Sequence, residues 1–278
     1  MDYYRNILIT GCSSGIGYET AKYLKENKYN IIVSCRKKID YKKLSQEFNH
    51  VVLIDTAKSK SINKSFFSIK KIIKNNTLYA IFCNAGYGQW GAVEDLSINL
   101  INKQFSANIF GHIELINLFI PHMRKINEGK IIFNSSVLGL VSFPYSSAYN
   151  ATKFAMEAFA MSLRLELKNT NIKVSLIEPG PIESKFNENA LKHLKKINIK
   201  KSLHKNKYNK FFKYFNRGRN KFTLPALSVA KKVHTILKSN QPKSQYYVTL
   251  PTYVLSYSRI LPNFFFEKFL NFINRKEG

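Results

Sequence analysis

Six short runs rich in β-branched and aromatic residues recur along this chain, and their spacing leaves few folds open. They read "NILIT" (6–10), "NIIVSC" (30–35), "VVLID" (51–55), "YAIFC" (79–83), "KIIFNSS" (130–136) and "KVSLIEP" (173–179). Between them lie segments of helical spacing at 16–27, 59–74, 97–125 and 148–168. Strands that are apolar almost throughout, separated by helices, predict a parallel sheet covered on both faces. The expected class is therefore α/β with a doubly wound parallel sheet. Such folds bind ligands beyond the carboxyl ends of their strands. After a last expected strand, "QYYVTL" (245–250), the chain ends in an aromatic, apolar tail. With no internal repeat and no linker rich in Pro or Gly, 1–278 reads as a single domain.

Composition narrows the class further. A 45% hydrophobic content is ample for a packed core and excludes global disorder. The formal charge of +27 favours anionic partners of any kind, but no nucleic-acid-binding module is recognisable, so no nucleic acid is expected. Cys12, Cys35 and Cys83 are odd in number and lack metal-ligand spacing, which predicts buried thiols in a reducing compartment. The first strand begins almost at the N-terminus, which leaves no room for a signal peptide. No uncharged apolar run is long enough to span a bilayer, and a cytoplasmic protein is the expectation.

The stretch "ILITGCSSGIG" leads directly from the first strand into the first helix. Gly11 permits a tight turn, Gly15 the approach of a backbone to phosphate, and Gly17 close packing of helix on sheet. The helix N-terminus beyond Ser13, Ser14 and Ile16 offers N–H groups and partial positive charge to a pyrophosphate, the signature of a Rossmann-type nucleotide site. Farther on, Tyr149 and Lys153 stand four apart and so share one helix face. A phenol beside an ammonium is an arrangement that lowers the phenol's pKa.

The Gly-x-x-x-Gly-x-Gly spacing, with Thr10 before it, resembles the first motif of the short-chain dehydrogenase/reductase family. Other landmarks of that family follow in order: "DT" (55–56), "NAG" (84–86), Asn108 in "ANIFG", "SS" (135–136), "YNATK" (149–153) and "PGPIES" (179–184). The resemblance spans roughly 5–184. "YNATK" departs mildly from the commoner Tyr-x-Ala-Ser-Lys, and Ser184 stands where threonine is commoner. The resemblance implies that Asp55 and Thr56 flank the adenine and that Asn84, Ala85 and Gly86 line the cofactor pocket. It places Pro179, Gly180, Ile182 and Ser184 near the nicotinamide end. It implies Tyr149 as the proton-transferring group, with Lys153 and the oxidised nicotinamide's positive charge together stabilising its phenolate and Ser136 binding the substrate oxygen. Asn108 would hold a water in the relay behind the lysine. Ser135 is the second choice for the serine.

An enzyme using NAD(H) would place an acid after the second strand, where this chain has "SCRKK". Arg36, with Lys37 or Lys38, can instead bind a 2′-phosphate, so NADP(H) is expected over NAD(H). None of the six histidines joins the expected site; His193 and His204 are placed on a solvated helix face. Trp90 and Tyr87 either line the pocket or pack. Residues 185–221 hold 13 Lys/Arg and a single acid, Glu188, and the resemblance makes 185–225 a helical substrate lid.

The endings resemble the hydroxysteroid- and retinol-dehydrogenase-like branch, which implies an apolar ketone, aldehyde or alcohol as the small-molecule substrate. A homo-oligomer, dimer or tetramer, is expected. The alternative to an enzyme is a catalytically silent NADP(H) sensor, which the intact Asn108, Ser136, Tyr149 and Lys153 disfavour. In the C-terminal tail (251–278), Phe265, Phe266, Phe269, Phe272 and Ile273 recur at helical spacing. That face predicts packing on its own domain, on a sister subunit, or peripherally on a membrane.

Overall fold

The computed structural model describes residues 5–74, 76–216, 221–262 and 264–270. Seven strands form one sheet: β1 (Asn6–Ile9), β2 (Asn30–Cys35), β3 (His50–Leu53), β4 (Leu78–Cys83), β5 (Gly129–Asn134), β6 (Ile172–Glu178) and β7 (Gln245–Tyr247). Their spatial order is β3-β2-β1-β4-β5-β6-β7, and every neighbouring pair is parallel. The order reverses at β1, so a crevice opens between the ends of β1 and β4, where doubly wound sheets hold their ligands.

Both faces of the sheet are covered, which is why its strands are apolar at successive positions rather than alternate ones. Ile7 and Ile9 face α1 (Gly15–Glu26) and α9 (Leu227–Lys238), packing with Ala21, Leu24, Val229, Val233 and Ile236. Leu8, one residue out of phase, joins the opposite layer with Ile62 and Ile69 of α3 (Ser59–Ile73) and Leu115 and Phe119 of α5 (Gly111–Ile126). Met156 and Ala160 of α6 (Ser147–Glu166) complete that layer. Each of the Val, Leu, Ile, Phe and Met side chains removed from water here stabilises the fold by roughly 1.5–3 kcal/mol. Cys12, Cys35 and Cys83 are free and buried, and burial pushes their thiols up, Cys35 to about 11.

The helix expected at 97–125 is three pieces in line: α4 (Ile98–Phe105), a π turn (Ser106–Phe110) and α5. The wider turn places Asn108 toward the sheet's carboxyl end. Gly111 begins α5 against β3's exit, where a Cβ would lie 1.8 Å from the Thr56 carbonyl oxygen. Three helices were not legible in advance: α2 (Lys38–Leu44), α9 and α10 (Leu250–Ser258).

After β6 the chain forms α7 (Phe186–Leu194), a 3₁₀ turn (Ile199–Lys201) and α8 (Lys205–Asn216). Leu194, Ile197 and Tyr208 from this segment pack on Ala92, Leu96 and Ala148. In the tail, the helical residues 264–270 split the face expected from spacing. Phe266, Phe269 and Leu270 pack toward Leu140, Val141 and Leu255, while Phe265 is 58% exposed. Phe272 and Ile273 lie outside the described residues. Among the described residues no helix is long and apolar enough to cross a membrane.

Candidate active site

At the exit of β1, Gly11 (φ +73°) and Gly15 (φ +60°) both adopt left-handed backbone, which favours glycine. A Cβ on Gly17 would stand 2.4 Å from the Gly11 carbonyl oxygen and 2.6 Å from Asn84 Nδ2, so the loop and α1 pack with no room for a side chain. Ser14 occupies the N-cap of α1 in extended conformation but makes no side-chain cap. The loop therefore presents helix N–H groups to the crevice, as phosphate binding requires. Ser13 is exposed, Ile16 packs partly into the core, and Ser184 approaches the loop: a Cβ on Gly15 would lie 3.0 Å from its own Cβ.

The other expected cofactor residues sit on the same rim. Asn84 ties three strand ends together. Its Nδ2 donates to the Thr10 carbonyl at 2.9 Å, and its Oδ1 accepts from Asn134 Nδ2 at 2.9 Å. The Thr10 hydroxyl accepts the Asn84 and Ala85 N–H groups, each at 2.9 Å. Gly86 packs on the Asn108 side chain. Asp55, after β3, accepts from the Ala57 N–H, and Thr56 beside it is buried. Arg36 and Lys37 are exposed after β2. The Pro179 carbonyl accepts the Val137 N–H at 2.8 Å, Gly180 is pressed against Thr249, and Ile182 bridges to Leu224.

Tyr149 and Lys153 lie one turn apart on α6 and both are buried. The Lys153 Nζ donates to the Asn134 carbonyl at 2.6 Å and stands 5.5 Å from the Tyr149 ring centre. Burial pulls the ammonium down to about 8, while Glu157, one turn on, opposes that shift. The phenol is shifted the other way. Burial drives its pKa up, and the opposing influence is the Ser136 hydroxyl rather than Lys153. A lysine whose ammonium is spent on a backbone carbonyl does little for a desolvated phenolate in the protein alone. Ser136 and Ser135 also separate cleanly. Ser136 faces Tyr149, whereas the Ser135 hydroxyl donates to Glu157 Oε1 on the far side.

Asn108 is in place, and both ends of its side-chain amide are hydrogen-bonded. Oδ1 accepts the Tyr87 N–H at 3.1 Å, and Nδ2 donates to the Tyr87 carbonyl at 3.0 Å and to Thr152 Oγ1 at 3.2 Å. Its side chain therefore braces the Tyr87 backbone and Thr152. One histidine does join this network. His112, buried one turn beyond Asn108, donates from Nδ1 to the Asn108 carbonyl at 3.1 Å and meets Thr10 Oγ1 at 3.4 Å through Nε2. Burial, reinforced by the Lys153 charge, holds it neutral with a pKa of about 4. Its spacing of four from Asn108 was the available signal.

The solvated helix face expected for His193 and His204 is not where they sit. His193 on α7 stacks on Tyr87 with ring centres 4.0 Å apart, and burial lowers its pKa to about 4. His204 pairs with Glu94 and meets the Tyr145 hydroxyl at 3.2 Å. Both are half-buried because the segment folds back onto the body. Trp90 lines the Tyr149 corner, its ring 6.5 Å from that of Tyr149 and inclined 26° to it. Phe186, first residue of α7, closes the other side at 5.2 Å.

The short chain dehydrogenase family pattern covers residues 5–195. The chain is 38% identical over 268 residues to "Uncharacterized oxidoreductase YbbO" of Escherichia coli, covering 96% of this chain and 94% of that one. It is 33% identical over 199 residues to bovine retinol dehydrogenase 8, covering 69% of this chain and 64% of the relative. A short-chain dehydrogenase from Streptomyces avermitilis superposes with a TM-score of 0.76 over 93% of each chain at 19% identity. The glycine turn, the strand order and the Tyr149–Lys153 corner accord with these likenesses, and the chain belongs to the short-chain dehydrogenase/reductase family of oxidoreductases.

Proposed function

We propose that the protein transfers a hydride between NADP(H) and an apolar ketone, aldehyde or alcohol of steroid-, retinoid- or lipid-like form. The observation that carries this reading is the convergence of Ser136, Tyr149 and Lys153 in one buried corner at the rim that also bears the glycine turn. The residues fit the dinucleotide: left-handed glycines turn the chain tightly at the rim, and an uncapped helix N-terminus leaves its N–H groups for phosphate. Gly11 to Gly17 would hold its pyrophosphate, Asp55 and Thr56 its adenine, and Asn84 to Gly86 with Pro179, Gly180, Ile182 and Ser184 its nicotinamide half. Arg36 and Lys37, exposed where an acid would select NAD(H), would take the 2′-phosphate. When bound, the nicotinamide supplies or accepts the hydride.

The chain's own groups manage the proton. In reduction, the Tyr149 phenol donates its proton to the substrate oxygen while the Ser136 hydroxyl donates a hydrogen bond to the same oxygen. Burial keeps that phenol protonated until the oxygen takes the proton. Lys153, made more acidic than an ordinary lysine, stands ready to restore it. The Asn134 carbonyl holds Lys153, and the Asn108 side chain holds Tyr87 and Thr152 around it. Phe186 and Trp90 keep water from the phenol and give the substrate an aromatic wall. The aromatic lining, together with the likeness to a retinol dehydrogenase, supports an apolar substrate.

Loss of NADPH absorbance with a panel of apolar carbonyls tests the reading. Turnover with at least one planar or lipid-like member is expected, with NADPH preferred to NADH. Tight NADPH binding without oxidation by any carbonyl would favour a silent sensor.

A further inference from the structure

The segment joining α7 to α8 displays an apolar tip in a field of lysines. Leu203 is 94% exposed, yet its neighbours on both sides are clamped to the body. The Ser202 hydroxyl donates to Asp95 Oδ2 at 2.6 Å, and His204 pairs with Glu94. Five residues on, the Tyr208 hydroxyl donates to the same Asp95 oxygen and accepts the Ala92 N–H at 2.7 Å. These bonds direct the polar side chains inward and hold the leucine out. They also engage Glu94 and Asp95, the two acids of the facing loop. From 192 to 210 the sequence holds no Asp or Glu, while Lys192, Lys195, Lys200, Lys201, Lys205 and Lys207 are all exposed. In the facing loop Val93, adjacent to Glu94, is 70% exposed, as is Ile98 at the start of α4.

Phosphate contacts on nucleic acid are made by charged groups, and an exposed leucine adds nothing to them. A bilayer with anionic headgroups uses both features: lysines lie against the headgroups while an apolar tip enters the boundary with the acyl chains. We propose that this strap docks the protein on anionic lipid bilayers, with Leu203 as the inserting residue and Lys200, Lys201 and Lys205 as its headgroup contacts. The α7–α8 segment also supplies Phe186, which covers Tyr149, so the docked strap is continuous in sequence with that cover. The docking itself is independent of the substrate reading, because its test reads binding and not turnover.

The experiment is flotation of the full chain with phosphatidylcholine vesicles, with and without phosphatidylglycerol, at low and high salt. Binding is expected to the anionic vesicles alone and to weaken as salt screens it. Leu203→Ser should weaken it about tenfold, from one lost aliphatic insertion. The triple change Lys200→Gln, Lys201→Gln, Lys205→Gln should weaken it about a hundredfold, at about 1 kcal/mol per lysine. Thermal melting of each variant checks the fold, and Leu203, almost wholly exposed, has little packing to lose. Absence of flotation by the folded wild type at low salt overturns the proposal. So does flotation that Leu203→Ser leaves unchanged, since the strap would then be a generic polyanion surface.

Discussion

The Lys153 ammonium lies 5.5 Å from the centre of the Tyr149 ring, yet its hydrogen bond goes to the Asn134 carbonyl at 2.6 Å. The lysine is thus oriented by the sheet, through the last residue of β5, and not by the phenol. Desolvation then acts on the two groups in opposite directions: it raises the phenol and lowers the ammonium. A pair tuned this way starts as phenol plus a relatively acidic ammonium. That is the state needed to protonate a carbonyl oxygen.

Tyr149→Phe keeps the ring that packs between Trp90 and Phe186 but removes the donor. Carbonyl reduction should fall by about 10²–10⁴-fold, while NADPH affinity, read by fluorescence titration, stays within a few-fold. Turnover within about tenfold of the wild type would remove Tyr149 from the proton-transfer role.

Lys153 has a folded pKa of about 8, below its ordinary 10.5, because burial disfavours the ammonium. It is charged below that value and neutral above it. Reductive kcat should therefore be level through neutrality and decline as pH rises through about 8. A decline starting only near the ordinary lysine range would show that Lys153 is not the group that titrates.

Arg36→Ala removes the guanidinium expected to meet a 2′-phosphate. Charge-assisted hydrogen bonds contribute about 1.5–3 kcal/mol each, so Kd for NADPH should rise roughly ten- to a hundredfold. Kd for NADH should change little. Equal losses for both cofactors would mean that Arg36 only supports the loop.

Glu178, at the end of β6, is wholly buried, and its Oε2 accepts the Tyr246 N–H at 3.0 Å. Burial, with Glu157 nearby, raises its pKa from 4.5 to about 9. Below the lower value both folded and unfolded chains hold the proton, so this carboxyl adds no pH dependence. Between the two values the folded chain keeps a proton that the unfolded chain has released, so stability declines as pH rises. Glu178→Gln should flatten that decline, with a smaller loss of melting temperature between about pH 5 and about pH 9. An unchanged slope would mean that Glu178 is ionised in the folded protein.

The covered parallel sheet, the glycine turn and the Tyr149–Lys153 pair were legible in the sequence because each is written in local spacing. Both faces of a strand must be apolar if both are to be covered, left-handed turns favour glycine, and residues four apart share a helix face. Only the tertiary structure decided what these groups meet. It set His112 beneath Asn108 and turned Ser135 toward Glu157 and Ser136 toward Tyr149. It laid His193 on Tyr87 and His204 against Glu94, more than a hundred positions away in each case. It also split the aromatic tail, packing Phe266 and Phe269 partly against the body and leaving Phe265 in solvent. The protonation states of Tyr149, Lys153 and Glu178 belong to the same category. They depend on how much water the packed chain excludes, and desolvation is a property of the assembled interior that no local spacing encodes.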